Sequence, residues 1–228
     1  MTNTSTALII GASRGIGLGL VREYLSRGWR VIATERTPGS SAALAALAGD
    51  GLAIEALDVT DDAGIVALAD RLDGTVLDLV YVNAGVSDDP SVPIGEVAGE
   101  EFDRVMRTNA LAPMRVVEQL DDHVASGGTI AVATSGLGSV SVEPGPSYEL
   151  YGASKAALNR LMRSYAVRAG GDRTLLVVMP GWVKTDMGGD EAPLEVETSA
   201  RGIADAIKAR GGTPGLSFID YQNEVLPW

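Results

Sequence analysis

The stretch YGASKAALN, residues 151–159, puts a tyrosine and a lysine four positions apart. The chain has three lysines (Lys155, Lys184 and Lys208), and of its six tyrosines only Tyr151 has a lysine at the fourth following position. On a helix, residues four apart share a face and can enter the same cleft. A free phenol titrates near ~10, too high for acid–base work near neutrality, and a nearby ammonium favours the phenolate and lowers that value. Such a pair can protonate a forming alkoxide or deprotonate an alcohol. The plainer alternative is a surface tyrosine beside a surface lysine. The pair matters because there is no cysteine and only one histidine, His123. Thiolate nucleophiles, disulfides and thiolate metal sites are thereby excluded, and no metal site is expected. His123, in LDDHVASGG, reads as solvent-facing near a helix end.

A second constellation lies near the start. IIGASRGIG spaces Gly11, Gly15 and Gly17 as G-x-x-x-G-x-G between an apolar run and a helix. Glycines permit a tight turn and close backbone approach, and a helix N-terminus favours a pyrophosphate. No Lys-Ser/Thr follows the last glycine, so the loop is not of the Walker type. Further along, Asp58 and Val59 end an apolar segment where the carboxylate could accept from an adenine amine, or serve as a cap or turn residue. Asn83, Ala84 and Gly85 end the next one, where glycine admits a ribose.

The elements that must position these groups alternate regularly. Apolar strands are expected at 7–10, 30–34, 52–59, 77–85, 128–135, 174–181 and 216–220, with helices at 15–28, 42–49, 63–72, 100–124, about 151–169 and 199–211. Pro113 should kink or divide the fourth helix. Continuous apolar strands alternating with helices imply an α/β fold, one doubly wound domain over residues 1–228 with a mostly parallel sheet covered on both faces. Ligands of such sheets bind at the strand C-termini, beside the loops singled out above. The stretch 87–101 (SDDPSVPIGEVAGEE) reads as a solvated loop and helix start rather than a calcium site.

Composition agrees with a large buried core: 46% of the 228 residues are hydrophobic and 21% charged. A net charge of −12 argues against nucleic acid or an anionic membrane as partner. No apolar run nears the ~20 residues of a membrane span, and no basic segment precedes the first one, so a cytoplasmic protein is expected.

Taken in order, the glycine loop, NAG, YGASKAALN and PGWVKTDMGG (180–189) resemble the short-chain dehydrogenase/reductase family over essentially the whole chain. VIATERTP, SGLGSVS and the tail FIDYQNEVLPW look most like the branch of sniffer-type carbonyl reductases and a related cell-contact signalling factor. The resemblance implies a Rossmann sheet of seven strands in the order 3-2-1-4-5-6-7. It also implies reversible hydride transfer between a nicotinamide cofactor and a ketone, aldehyde or secondary alcohol. Tyr151 would be the general acid/base, and Lys155 would lower its pKa and bind the nicotinamide ribose. Ser135 would orient the substrate oxygen, with Ser139 its nearest competitor. Asn109, in RTNALAP, would support a water-linked proton relay to the lysine.

Cofactor contacts would come from Gly11, Ser13, Arg14, Gly15, Ile16 and Gly17, from Asp58 and Val59, and from Asn83 to Gly85. Pro180, Gly181, Val183 and Thr185 would meet the carboxamide or phosphates, and Trp182 and Met187 would wall an apolar substrate pocket. Two departures from the family pattern stand out: Val82 replaces the first asparagine of N-N-A-G, and Ile10 replaces a threonine whose hydroxyl ties neighbouring loops. Glu35, after the second strand, argues for NAD by binding a ribose diol. Arg14 and Arg36 argue for NADP by clamping a 2′-phosphate while Glu35 turns to solvent. NADP is the preferred reading and NAD the alternative. The resemblance further implies a homo-oligomer, dimer or tetramer, and leaves a dinucleotide-binding signalling protein with little turnover as the rival function.

Overall fold

The computed structural model describes residues 4–143, 145 and 147–228. Seven strands, β1 (Thr6–Ile10), β2 (Arg30–Glu35), β3 (Leu52–Ala56), β4 (Leu77–Val82), β5 (Val124–Ala133), β6 (Thr174–Met179) and β7 (Gly215–Asp220), form one sheet. Their order is β3-β2-β1-β4-β5-β6-β7, and every pairing is parallel.

Side chains alternate across a strand, so an uninterrupted apolar run fills two cores at once. Leu8 and Ile10 of β1, Val80 and Val82 of β4, and Leu175 and Val177 of β6 enter one core. Their neighbours Ala7, Ile9, Leu79, Tyr81, Leu176 and Val178 enter the other. The first core is closed by α3 (Asp62–Arg71), α5 (Ala112–Leu120) and α6 (Glu149–Ala169) through Leu68, Val117, Leu158 and Met162. The second is closed by α1 (Gly15–Ser26), the single turn α2 (Ala42–Ala45) and α7 (Val196–Arg210) through Leu20, Leu44 and Ile203. Because all strands run the same way, their exits lie along one edge. The glycine loop, residues 83–85, Ser135 and the segment after β6 therefore come together there.

Several boundaries differ from expectation. β3, β4 and β6 end at 56, 82 and 179, so the residues expected at their tips stand in the loops beyond. β5 begins four residues earlier, across a register shift in its pairing with β4. The helix expected over 100–124 is two helices, α4 (Gly99–Met106) and α5, joined by a π-helical turn over Arg107–Leu111. Pro113 lies in the first turn of α5 instead of marking a mid-helix kink. It has no N–H for the carbonyl four residues before it, that of Asn109, so the wider turn falls where an α-helical bond is impossible. His123 is half-buried in a 3-10 turn, not solvent-facing. Among the described residues no helix is long and apolar enough to cross a membrane.

Candidate active site

On the glycine-loop side, Gly11 has φ +81°, and a Cβ there would stand 2.9 Å from the backbone of Ala84. A Cβ at Gly17 would lie 2.2 Å from the Gly11 carbonyl oxygen and 2.9 Å from Asn83 Nδ2. These glycines let the first loop lie directly on the loop after β4. The contacts expected to weaken at Ile10 and Val82 are made by other groups. Gly11 N donates to Thr34 Oγ1 (2.9 Å), Ala12 N to Thr34 O (2.8 Å) and Asn83 Nδ2 to Gly11 O (3.1 Å). Ile10 and Val82 themselves belong to the core.

The start of α1 suits a dinucleotide pyrophosphate. Arg14, the N-cap residue, makes no side-chain cap, and the first turn contains no acid. The leading N–H groups, beginning with Gly15, Ile16 and Gly17, therefore keep their affinity for an anion. Gly15, at φ +53°, faces Thr185 across the gap to the segment after β6, and a Cβ there would approach Thr185 Cγ2 to 3.2 Å. Ser13 O accepts from Ser41 Oγ at 2.5 Å, which pins the loop from its other side.

Glu35 does not turn to solvent, which corrects that expectation. It is 3% exposed and accepts from Gly39 N, from Ser40 Oγ (3.3 Å) and from Ser41 N (3.0 Å). The loop after β2 closes on the carboxylate because those donors would otherwise be buried unpaired. Arg14 pairs with Asp186 at 2.7 Å, both side chains exposed, and Arg36 is exposed. Asp58 Oδ1 accepts from Thr60 N (2.9 Å) and Thr60 Oγ1 (2.7 Å), the turn-residue alternative. Burial alone would raise its pKa, but the Thr60 bonds and the charge of Arg36 outweigh it and leave the carboxyl below its usual range. Val59 is buried.

On the proton side, α6 carries Tyr151 and Lys155 to the end of β5. Lys155 is buried, its Nζ donating to Ala133 O at 3.0 Å and lying 5.6 Å from the Tyr151 ring centre. Burial alone brings its pKa down to about 8. Tyr151 does not have the lowered pKa expected of it. Burial pushes its phenol up to about 12, opposed by the Ser135 hydroxyl, and Lys155 is aimed at a carbonyl instead. Ser135, not Ser139, neighbours the phenol, and its Oγ also accepts from Leu137 N at 3.1 Å. Asn109 is fully buried in the π turn. Its Oδ1 accepts from Val86 N, and its Nδ2 donates to Val86 O (both 2.8 Å) and Ser154 Oγ (2.9 Å). It does not bond Lys155, but Asn109 Oδ1 and Lys155 Nζ both flank Gly85, each 3.3 Å from where a Cβ would stand.

The segment after β6 is folded on itself. Pro180 O accepts from Ser199 Oγ (2.7 Å), Gly181 takes φ +87° beneath Leu194 and Tyr221, and Val183 is buried in a bridge to Leu194. Thr185 Oγ1 accepts from Gly188 N at 3.0 Å. Trp182 and Met187 are 59% and 46% exposed. Trp182 Nε1 donates to Gly188 O at 2.8 Å.

Sequence reasoning missed Asp88, assigned there to a solvated loop. It is 9% exposed, and its Oδ1 accepts from Tyr151 N at 3.1 Å, satisfying a first-turn donor of α6. The two residues are 63 positions apart, so no local pattern could pair them. Ser154 was also missed. It accepts from Asn109 and donates to Tyr151 O at 2.7 Å, joining the π turn to α6. Tyr148, just before α6, holds the left-handed conformation at φ +61°.

A seven-stranded doubly wound sheet with a glycine loop at α1 and Ser, Tyr and Lys gathered at the end of β5 defines a dinucleotide-binding oxidoreductase. The short chain dehydrogenase family model matches residues 5–195, and the chain belongs to that family. It is 39% identical to a carbonyl reductase of Pseudomonas aeruginosa solved in complex with NADP, covering 99% of this chain and 100% of that one with a TM-score of 0.92. It is 26% identical to the carbonyl reductase Sniffer of D. melanogaster, with the same coverage and a TM-score of 0.89. It is also 36% identical over 156 residues to C-signal of Myxococcus xanthus, covering 67% of this chain and 93% of that relative. These relatives fall in the branch expected from the sequence.

Proposed function

We propose that this NAD(P)-dependent oxidoreductase is a carbonyl reductase, reversibly reducing ketones or aldehydes to alcohols and preferring NADPH to NADH. The observation that carries the reading is the meeting of Ser135, Tyr151 and Lys155 beside an uncapped helix N-terminus and the Gly85 turn. When bound, the dinucleotide supplies or accepts the hydride. Tyr151 holds the proton at its phenolic oxygen and delivers it to the carbonyl oxygen, which the Ser135 hydroxyl orients. With a pKa near 12, the phenol is in its acid form at neutral pH, as reduction requires. Lys155 would hold the ribose and, with Asn109 across Gly85, would return a proton to the tyrosine through water. The NADPH preference is supported by the engagement of the Glu35 carboxylate with its own loop and by two exposed guanidiniums, Arg36 directly after β2 and Arg14, paired with Asp186, in the glycine loop. Exposed Phe102, Leu111, Leu161 and Val167 on α4, the π turn and α6 support self-association.

The test is nicotinamide absorbance with NADPH, then NADH, against ketones, aldehydes and diketones, with Tyr151→Phe in parallel. Turnover should fall about 10²–10⁴-fold in the variant while NADPH still binds. The C-signal relative favours a second reading, a dinucleotide-binding signalling protein. Binding without turnover on any substrate would select it.

A further inference from the structure

Glu35 presents a conflict of charge: an acid at the end of β2 directly before Arg36, one of the two arginines assigned to a phosphate. An acid there ordinarily accepts from a ribose diol and repels a 2′-phosphate. In this chain three of the roughly four acceptor sites of the carboxylate are taken by its own loop. Gly39 N binds one carboxylate oxygen, and Ser40 Oγ and Ser41 N bind the other. At 3% exposure no face is left for a ligand hydroxyl. Ser41 then carries the connection outward. Its Oγ accepts from Leu44 N at 3.1 Å, capping α2, and donates to Ser13 O at 2.5 Å. Gly39, at φ +75°, allows the reversal that brings these amides back over the strand end.

We propose that Glu35 is a specificity-determining positioning residue that builds the 2′-phosphate site instead of opposing it. Its carboxylate folds residues 36–41 into a closed loop, and Ser41 fastens that loop to the glycine loop. Arg36 at the loop's start and Arg14 beside Ser13 are thus held on two segments joined through one carboxylate. The charge of the Glu35 carboxylate is engaged by three donors, and the exposed pairing of Arg14 with Asp186 is open to exchange for a phosphate. Removal of the acid should accordingly weaken NADPH binding, where an exposed acid at this position would strengthen it on removal. The inference rests on the NADPH reading above.

Equilibrium Kd values for NADPH and NADH, from nicotinamide fluorescence, and backbone amide exchange of the cofactor-free protein decide it. Glu35→Ala should raise the NADPH Kd about tenfold and leave the NADH Kd nearly unchanged, since a loop that must be ordered on binding lowers affinity. The amides of Gly39 and Ser41 should exchange at least ~10-fold faster than in wild type. Should the alanine variant not fold, Glu35→Gln carries the test, because glutamine keeps one acceptor oxygen and loses the charge. A smaller rise in NADPH Kd is expected there, and a fall would show that the charge repels the phosphate. Tighter or unchanged NADPH binding in a folded Glu35 variant, or unaltered exchange at Gly39 and Ser41, would overturn the proposal. A wild type that binds NADH more tightly than NADPH would instead overturn the preceding reading of cofactor preference, and faster exchange in Glu35→Ala would still separate the two failures.

Discussion

Asp88→Ala removes the acceptor of Tyr151 N and leaves a first-turn donor of α6 without its partner. Loss of a side-chain cap costs about 1–2 kcal/mol, and the low exposure of Asp88 places the effect at the upper end because water can replace it only in part. For a chain of this size that corresponds to a fall in Tm of roughly 4–8 °C. The same turn holds the phenol, and Tyr148 just before it is already in a left-handed conformation that needs its surroundings to hold it. Loosening the turn should displace the hydroxyl and lower kcat about tenfold, with the NADPH Kd unchanged. Asp88→Asn keeps an oxygen for the same N–H and should recover most of both losses. Thermal denaturation, steady-state kinetics and cofactor titration of the two variants suffice. An alanine variant with wild-type kcat and Tm would refute the capping argument, and an asparagine variant as impaired as alanine would show that the charge matters and not the acceptor.

Gly11→Ala forces a side chain into φ +81° and to 2.9 Å from the Ala84 backbone, so a loss of about 2–4 kcal/mol in urea denaturation and a much weakened NADPH affinity are expected. Lys155→Met probes the other buried charge. Lys155 titrates near 8 in the fold against an ordinary 10.5, so between those values the unfolded chain binds more protons and wild-type stability gains as pH rises. The gain is on the order of 3 kcal/mol, complete near pH 10.5. The difference between wild type and Lys155→Met in urea midpoints from pH 7 to 10 isolates it, because the tyrosines with raised pKa act equally in both. A difference that does not vary with pH would refute the buried-ammonium assignment.

Much of the fold was legible because its signals are local. Uninterrupted apolar runs such as Ala7–Ile10 and Leu175–Met179 suit strands of a sheet buried on both faces. The glycine spacing after the first of these and the four-residue interval of Tyr151 and Lys155 are likewise readable within one turn of chain. Strand order and parallel pairing then bring the loops together at one edge, as the family resemblance implied. What the chain could not disclose depends on distant partners and on burial. Glu35 turns inward because amides four to six residues ahead come to rest on it in a loop held by Ser13. Asp88 caps a helix 63 residues away. Pro113, lacking an N–H for the Asn109 carbonyl, sets a π turn whose Asn109 side chain bonds Val86 and Ser154, both distant in sequence. The tyrosine's proton affinity, expected to fall beside a lysine, rises instead, since desolvation of the phenol outweighs the Ser135 hydrogen bond and the ammonium is engaged with the Ala133 carbonyl. Residue types and spacing determined which chemistry was available to this chain. Packing decided which way each charge faces and how tightly each proton is held, because both depend on the solvent and partners that only the folded chain provides.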